Sequence, residues 1–325
     1  MNFGIIGCSR VARRRFLPAI RSSSAARLVF IGSRDSERAS EYAREFGAPR
    51  AGSYEEVLSD EAVDVVYIST PPLLHTQWVL EAAQAGKHII VEKPAFPTLA
   101  EARTAIAVCR KAGVRLFENY AFLYHPQHES ARALLNDVGG LQRLEARYLY
   151  PFPPAGDIRF QSALGGGVYH DSFGYIFALA LRYFGKSPQS VSCMQTFDAA
   201  SGIDTAADVI LRFSENRTLH GMVQIGSEEY VSSYVLHGPS GSIEVRRAFA
   251  VDADKTSEII VHRGNDKKTI VVPPASQFQL ALEDFCAVVM GENARDFEGE
   301  LLARAAMRES AREVSTKKES ASRVH

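Results

Sequence analysis

The chain has 325 residues, 46% of them apolar and 23% charged, the make-up of an ordinary globular protein with room for two domains. Its formal charge is −1, so no global field draws it to nucleic acid or to an anionic membrane. Four scattered cysteines (Cys8, Cys109, Cys193, Cys286) form no CxxC pair, which argues against a zinc site or a disulfide framework and suits a reducing cytoplasm. No basic stretch leads into an apolar signal core, and no apolar run reaches the roughly 18–20 residues needed to span a bilayer.

Residues 3–6 read as a strand and 10–21 as a helix. A second strand at 27–31 precedes a polar, alanine-rich helix at 36–46. A third strand at 63–68 leads to a helix at 74–85, closed by Gly86. A fourth at 89–91 is followed by a helix at 99–112, closed by Gly113, and a fifth strand at 114–117. This βαβαβ rhythm predicts a doubly wound parallel sheet with helices on both faces. The pattern changes after residue 120. An amphipathic strand at 141–150 gives way to a loop rich in Pro and Gly at 151–167, then an apolar helix at 174–184. Strand-like runs follow at 189–197, 206–213, 217–226, 230–237, 241–247, 257–262 and 268–272. With no helices between them, they predict a large, mostly antiparallel sheet. Helical patterns at 279–290 and 300–314 precede a polar, frayed tail at 315–325. The predicted organisation is therefore a dinucleotide-binding domain at 1–120 and an α+β domain at 121–325.

In a doubly wound sheet, ligands bind outside the carboxyl ends of the strands. The fourth strand ends there in Val91-Glu92-Lys93-Pro94. The proline biases Lys93 to extended backbone, so its ammonium is aimed at a ligand crevice, with a surface lysine as the competing reading. A cis bond between Lys93 and Pro94 is expected. Gly7-Cys8-Ser9-Arg10-Val11-Ala12 lies between the first strand and the first helix, the place of the G-x-G-x-x-G/A fingerprint, with Ser9 at the second glycine. Gly7, Cys8, Ser9, Arg10 and Val11 are thus expected to cradle a pyrophosphate at the helix start. An ordinary tight turn is the bland alternative.

The second strand ends in Ser33-Arg34, where an NAD site would carry Asp or Glu. A hydroxyl and a guanidinium suit a 2′-phosphate, with Arg38 one helical turn on, so NADP(H) is favoured and NAD(H) is the alternative. Asp35 is a second candidate for the ribose. Thr70 and Pro71 close the third strand as crevice wall, with His75 following. Glu118 and Asn119 lie on the same rim, and Thr70, Pro71, His75, Glu92, Lys93 and Asn119 are expected at the cofactor. His125 and His128, three apart, have no clear carboxylate partner, and no metal site is expected.

Three segments resemble the Gfo/Idh/MocA family of NAD(P)-dependent oxidoreductases. They are Gly4-Ile5-Ile6-Gly7-Cys8, then Ala85-Gly86-Lys87-His88-Ile89-Ile90-Val91-Glu92-Lys93-Pro94, and Gly165-Gly166-Gly167 leading to Asp171-Ser172-Phe173-Gly174-Tyr175. Finer features are similar to the NDP-sugar 3-ketoreductases of deoxysugar biosynthesis: Arg14-Arg15-Phe16-Leu17-Pro18-Ala19, residues 117–128, and Glu244-Val245-Arg246-Arg247-Ala248-Phe249. Ser9 departs from the family pattern, as does Tyr169-His170 where small apolar residues are more usual. The resemblance implies a Rossmann domain and a second domain whose open sheet makes a dimer or tetramer. It also implies an active site lined by Lys93, Asp171 and Tyr175.

Asp171 and Tyr175 are four apart and share one face of a helix, while Phe173, Ile176, Phe177 and Leu179 bury the others. A satisfied tyrosine and a dipole-stabilising Asp are the structural alternative. Hydride transfer to a ketone leaves an alkoxide that needs a proton within hydrogen-bond reach. Tyr175 can donate its phenolic proton, with Lys93 stabilising the phenolate, or Lys93 can be the donor itself. Asp171 would bind a sugar hydroxyl and orient Lys93. The expected activity is NADPH-dependent reduction of a nucleotide-linked 3-keto sugar. Its competitors are a free-sugar or diol dehydrogenase, a cofactor-binding regulator without turnover, and an NAD-dependent glycosidase.

Overall fold

The computed structural model describes the backbone of residues 1–154, 156–185 and 187–322, and side chains as far as residue 315. Contacts divide the chain into two units: Met1–Ala121 with Phe278–Leu302, and Phe122–Gln277 with the chain from Ala303 onward. A single cut at residue 120 misses the return of the chain to the first unit. The cause is aromatic packing: the Phe285 and Phe297 rings lie 6.0 and 4.7 Å from the Phe117 ring.

The first unit is built on strands β1 (Asn2–Ile6), β2 (Arg27–Gly32), β3 (Arg50–Gly52), β4 (Val65–Ile68), β5 (His88–Glu92) and β6 (Leu116–Asn119). They form one sheet in the order β3-β2-β1-β4-β5-β6, and every pairing is parallel. The strand order reverses between β1 and β4, and the crevice for a ligand opens at such a switch point. β4 is buried along its whole length, as a strand covered on both faces must be. Sequence reasoning missed β3 and the helix Tyr54–Ser59. β3 has three residues, two of them exposed, and no apolar pattern to betray it.

Caps explain the helix boundaries. Asp35 opens Ser36–Phe46 by accepting from the Glu37 and Arg38 amides. Thr98 and Glu101 form a capping box at Leu99–Ala112, which Gly113 stops in the left-handed conformation. The predicted helix at 10–21 contains a π-turn, Ala12–Phe16, closed by the Leu17 amide on the Ala12 carbonyl. Pro18 follows at once and has no N–H with which to continue the regular ladder.

The second unit carries β7 (Arg143–Tyr150), β8 (Ser190–Phe197), β9 (Asp204–Arg212), β10 (Thr218–Ile225), β11 (Val231–Gly238), β12 (Gly241–Arg246), β13 (Ser257–Arg263) and β14 (Asp266–Val272). They form an eight-stranded sheet in the order β14-β13-β12-β11-β7-β10-β9-β8. Only β7 and β10 pair in parallel. One face is buried beneath the helix Gly174–Phe184, whose Ile176, Phe177 and Leu179 are fully buried. Close approach is needed there, because a Cβ on Gly221 would strike the Ile176 side chain. The other face presents Glu145, Arg147, Met194, Asp208, His220 and Met222.

The helix Phe297–Ser322 runs past the predicted stop at 314 into the segment expected to fray. No glycine or proline interrupts residues 300–322, which are rich in good helix formers. Residues 323–325 lie outside the described residues. Among the described residues, no helix is long and apolar enough to cross a membrane.

Candidate active site

The β1 turn of the first unit is built around Gly7, whose φ of +105° is costly for any residue with a side chain. A Cβ there would also lie 3.1 Å from the backbone of Ser69 and Thr70. The Ser9 hydroxyl accepts from the Ala12 amide at 3.0 Å and donates to Ser69 Oγ at 2.9 Å. Ser69 in turn donates to the Gly7 carbonyl at 2.8 Å. Ser9 therefore braces the loop against β4 where the family pattern has glycine. Cys8 is buried, which pushes its thiol up to about 11 and keeps it protonated. Arg10 and Val11 begin the helix beyond the loop.

At the end of β2, Ser33 is buried and its hydroxyl accepts from the Asp35 amide at 3.2 Å. Arg34 and Arg38 are exposed. Arg34 hydrogen-bonds the Tyr54 hydroxyl and opposes the burial that raises that phenol's pKa. The Arg38 guanidinium lies over the Tyr42 ring at 5.9 Å. Asp35, the second ribose candidate, has one carboxylate oxygen engaged as the helix cap.

At the end of β4, Thr70 is buried and its hydroxyl has no partner among the described residues. A buried orphan hydroxyl is uncommon and fits a group that arrives with a ligand. With the glycine turn and the exposed arginines beside it, the crevice suits a phosphorylated dinucleotide.

Lys93 follows β5 on a turn with a cis Lys93–Pro94 bond, as the sequence predicts. Three ionisable side chains fix its backbone. The Lys93 amide donates to Glu92 at 3.3 Å, a ring nitrogen of His75 lies 2.9 Å from the Pro94 carbonyl, and the Ala95 amide donates to Glu118 at 2.9 Å. Glu92 also accepts from the Tyr67 hydroxyl at 2.6 Å and the Asn119 amide at 2.7 Å, both on one oxygen. Burial raises the Glu92 pKa against these donors. Glu92, Asn119 and His75 were expected at the cofactor. The structure has Glu92, the Asn119 amide and both His75 nitrogens engaged with protein. Tyr67, stacked on Phe16 at 3.6 Å, and Glu118 hold the same network. Their periodic apolar surroundings gave no signal that they would.

In the second unit, Asp171 ends the one-turn helix Val168–Asp171, and Tyr175 lies in the next helix after a break at Ser172 and Phe173. The single helical stripe expected from the sequence is thus interrupted, because the Ser172 and Phe173 amides both close onto the Val168 carbonyl. Asp171 accepts from the Tyr150 hydroxyl and from Arg159 Nε, each at 2.7 Å, on the same oxygen. Arg159 also pairs with Asp157 at 3.1 Å. Burial, then the Asp171 charge, raises the Tyr150 pKa and keeps its proton in place. Tyr150 and Arg159 were not foreseen. Asp157-Ile158-Arg159, in a segment otherwise rich in Pro and Gly, is the one sequence hint.

The glycine run is rigidly required rather than a flexible approach. Gly165 and Gly167 have φ of +84° and +93°, and a Cβ on Gly166 would strike the Arg159 carbonyl. The Gly167 amide donates to that carbonyl at 2.9 Å, so the glycines seat Arg159. Tyr175 is half-buried against Phe249, Phe122 and Tyr148, with ring centroids at 5.1, 5.3 and 5.3 Å. Its surroundings are an aromatic wall. His170, at the departure from the family pattern, is pushed down to about 4 by burial and by Arg308 and Arg312. His128 is fully buried on the Tyr234 hydroxyl at 2.9 Å, and His125 is buried near it. Among the described residues no group of three or more His, Cys, Asp or Glu is placed to hold a metal.

Residues 1–120 match the oxidoreductase family with an NAD-binding Rossmann fold, Gfo/Idh/MocA, and residues 128–244 match a C-terminal domain of the same family. The chain belongs to the Gfo/Idh/MocA oxidoreductase family. It is 32% identical, over 89% of its length and 88% of the relative's, to dTDP-3,4-didehydro-2,6-dideoxy-alpha-D-glucose 3-reductase of Streptomyces antibioticus. It is 31% identical, over 91% of both chains, to D-xylose 1-dehydrogenase (NADP(+)) 2 of Haloferax volcanii. Its fold matches that of KijD10, a 3-ketoreductase from Actinomadura kijaniata crystallised with NADP and TDP-benzene. The TM-score is 0.92 at 28% identity, covering 96% of this chain and 97% of that one. The doubly wound sheet plus a large open sheet, expected from the sequence, is the architecture of this Gfo/Idh/MocA protein.

Proposed function

We propose that the protein uses NADPH to reduce the keto group of a nucleotide-linked 3-keto deoxysugar. The observation that carries this reading is Lys93, its ammonium on a turn pinned at three consecutive residues beyond β5. The chain around it aligns over nearly nine tenths of its length with a dTDP-sugar 3-reductase. Crystals of the 3-ketoreductase with NADP and TDP-benzene support both ligand classes.

Bound NADPH would supply the hydride. Residues 7–11 (Gly7, Cys8, Ser9, Arg10 and Val11) would line its pyrophosphate at the helix start, with the Gly7 and Ser9 amides already given to the Gly32 and Gly7 carbonyls. Ser33, Arg34 and Arg38 would hold the 2′-phosphate, and Thr70 with Pro71 the ribose beside the orphan hydroxyl. Tyr175 would give its phenolic proton to the developing alkoxide, and the Lys93 charge would polarise the carbonyl. Asp171, held by Arg159 and Tyr150, would accept from a sugar hydroxyl. Phe249, Phe122 and Tyr148 pack around the half-buried Tyr175 ring and fix its orientation.

Oxidation of a free sugar is the second reading, favoured by the xylose dehydrogenase relative. NADPH oxidation against a panel of dTDP-keto sugars, set beside NADP reduction by D-xylose, separates the two. We also propose a homodimer or homotetramer through the open face of the eight-stranded sheet, supported by Met194 at 61% exposure. The four free, buried cysteines suit a cytoplasmic home.

A further inference from the structure

His75 is 1% exposed and sits between two turns of the first unit. Its Nδ1 lies 2.9 Å from the Pro94 carbonyl and its Nε2 lies 2.8 Å from the Thr70 carbonyl. Both ring nitrogens are therefore used, and neither is left for a cofactor. The two carbonyls belong to the turns that end β4 and β5. Pro94 directly follows Lys93, and Thr70 carries the orphan hydroxyl.

The ring is the right tool for this span. An imidazole places two nitrogens on opposite edges of a rigid plane, so it fixes the separation of the carbonyls it touches. A neutral ring donates to one carbonyl and an imidazolium donates to both. Burial outweighs the two carbonyls and the Glu118 carboxylate from β6 and holds the His75 pKa below its ordinary value, so the neutral ring donates to one carbonyl and packs edge-on against the other.

We propose that His75 is a positioning residue for Lys93, clamping the Lys93–Pro94 turn to the Thr70–Pro71 turn, and is not a cofactor ligand. The proposal rests on the assignment of Lys93 to the reaction. Its function is to hold the ammonium at a fixed distance from the cofactor wall, where a misplacement of about 1 Å can cost 100-fold in rate.

His75→Phe removes both contacts and keeps the ring volume. His75→Gln keeps one donor. The variants are compared with wild type for kcat on a dTDP-keto sugar, for NADPH affinity by fluorescence, and for folding by circular dichroism. The expected result is a kcat loss of about 100-fold in the Phe variant and about tenfold in the Gln variant, with NADPH affinity changed less than about threefold. If the Phe variant does not fold, the Gln variant decides alone. Wild-type kcat in a folded variant overturns the proposal, and so does a loss confined to NADPH affinity, which would make His75 a cofactor ligand. Lys93→Ala is run beside them. If it retains full turnover, the functional reading fails. If it is inactive while the His75 variants are unaffected, only the clamp fails.

Discussion

The candidate residues of the two units are held by different means. In the first unit Lys93 rides on a backbone whose polar groups at residues 93, 94 and 95 are each tied to a side chain from the same or a neighbouring strand end. In the second unit Asp171 and Tyr175 straddle a helix break. They are set by a salt bridge from a loop, a tyrosine from β7 and a wall of rings. The first is a hydrogen-bonded frame with little tolerance. The second is a packed assembly in which one ion pair, partly exposed, sets the charge. Changes to the frame should therefore act on turnover with little warning in stability, whereas changes to the assembly should register in both.

The largest effects should fall on the reacting groups. Lys93→Ala and Tyr175→Phe should each lower kcat by about 10²–10⁴-fold, the usual worth of a positioned acid, with unchanged circular dichroism. Wild-type turnover in either would remove that residue from the chemistry. Next comes Gly7→Ala, which forces a side chain into a φ of +105° and against the backbone of Ser69 and Thr70. NADPH titration should show binding lost, and urea unfolding a deficit of about 1–3 kcal/mol.

Arg159→Ala tests the second half. It strips the Arg159 donor from Asp171, across a pair whose side chains are 32% and 19% exposed. A charged hydrogen bond, discounted for that exposure, is worth about 1–2 kcal/mol, to be read by urea unfolding alongside a rise in substrate KM. Unchanged stability and KM would mean that Arg159 does not set Asp171. Arg34→Ala should weaken NADPH about tenfold relative to NADH, as expected for loss of a charge-assisted contact, and equal effects on both cofactors would reject its 2′-phosphate role.

The remaining effect falls on stability alone, as a pH dependence. His170 has a folded pKa of about 4, below its ordinary 6.5. Between these values the unfolded chain holds the proton and the folded chain does not, so stability falls as pH drops through that window. The contribution is about 1–3 kcal/mol, and His170→Gln should flatten the unfolding profile from pH 6.5 to 4. A slope unchanged by the substitution would place the acid sensitivity elsewhere, with buried His128 the next candidate.

Much of this was legible in the sequence because the first half is contiguous. Val91-Glu92-Lys93-Pro94 carries strand, turn and charge in four residues, and strand ends in such a sheet point at ligands. The alternating runs after residue 140 likewise report a half-buried sheet. What stayed hidden is assembled from afar. Arg159 and Tyr150 reach Asp171 from 12 and 21 positions away, and no local pattern encodes such a meeting. Glu118 and His75 looked like rim residues because hydrogen bonds to backbone leave no periodic trace. β3 was missed since three residues with little apolar content say nothing of the strand they pair with. The break between Asp171 and Tyr175 was invisible because Ser172 and Phe173 are unremarkable helix formers.

The central claim is that Lys93 serves hydride transfer to a nucleotide-linked ketone. Its most direct test is the rate of NADPH oxidation on a dTDP-linked 3-keto deoxysugar, measured for wild type and for Lys93→Ala. The account predicts turnover by wild type and a loss of at least about 100-fold in the variant. Equal rates, or no turnover of any dTDP-keto sugar beside brisk NADP reduction by D-xylose, would contradict it.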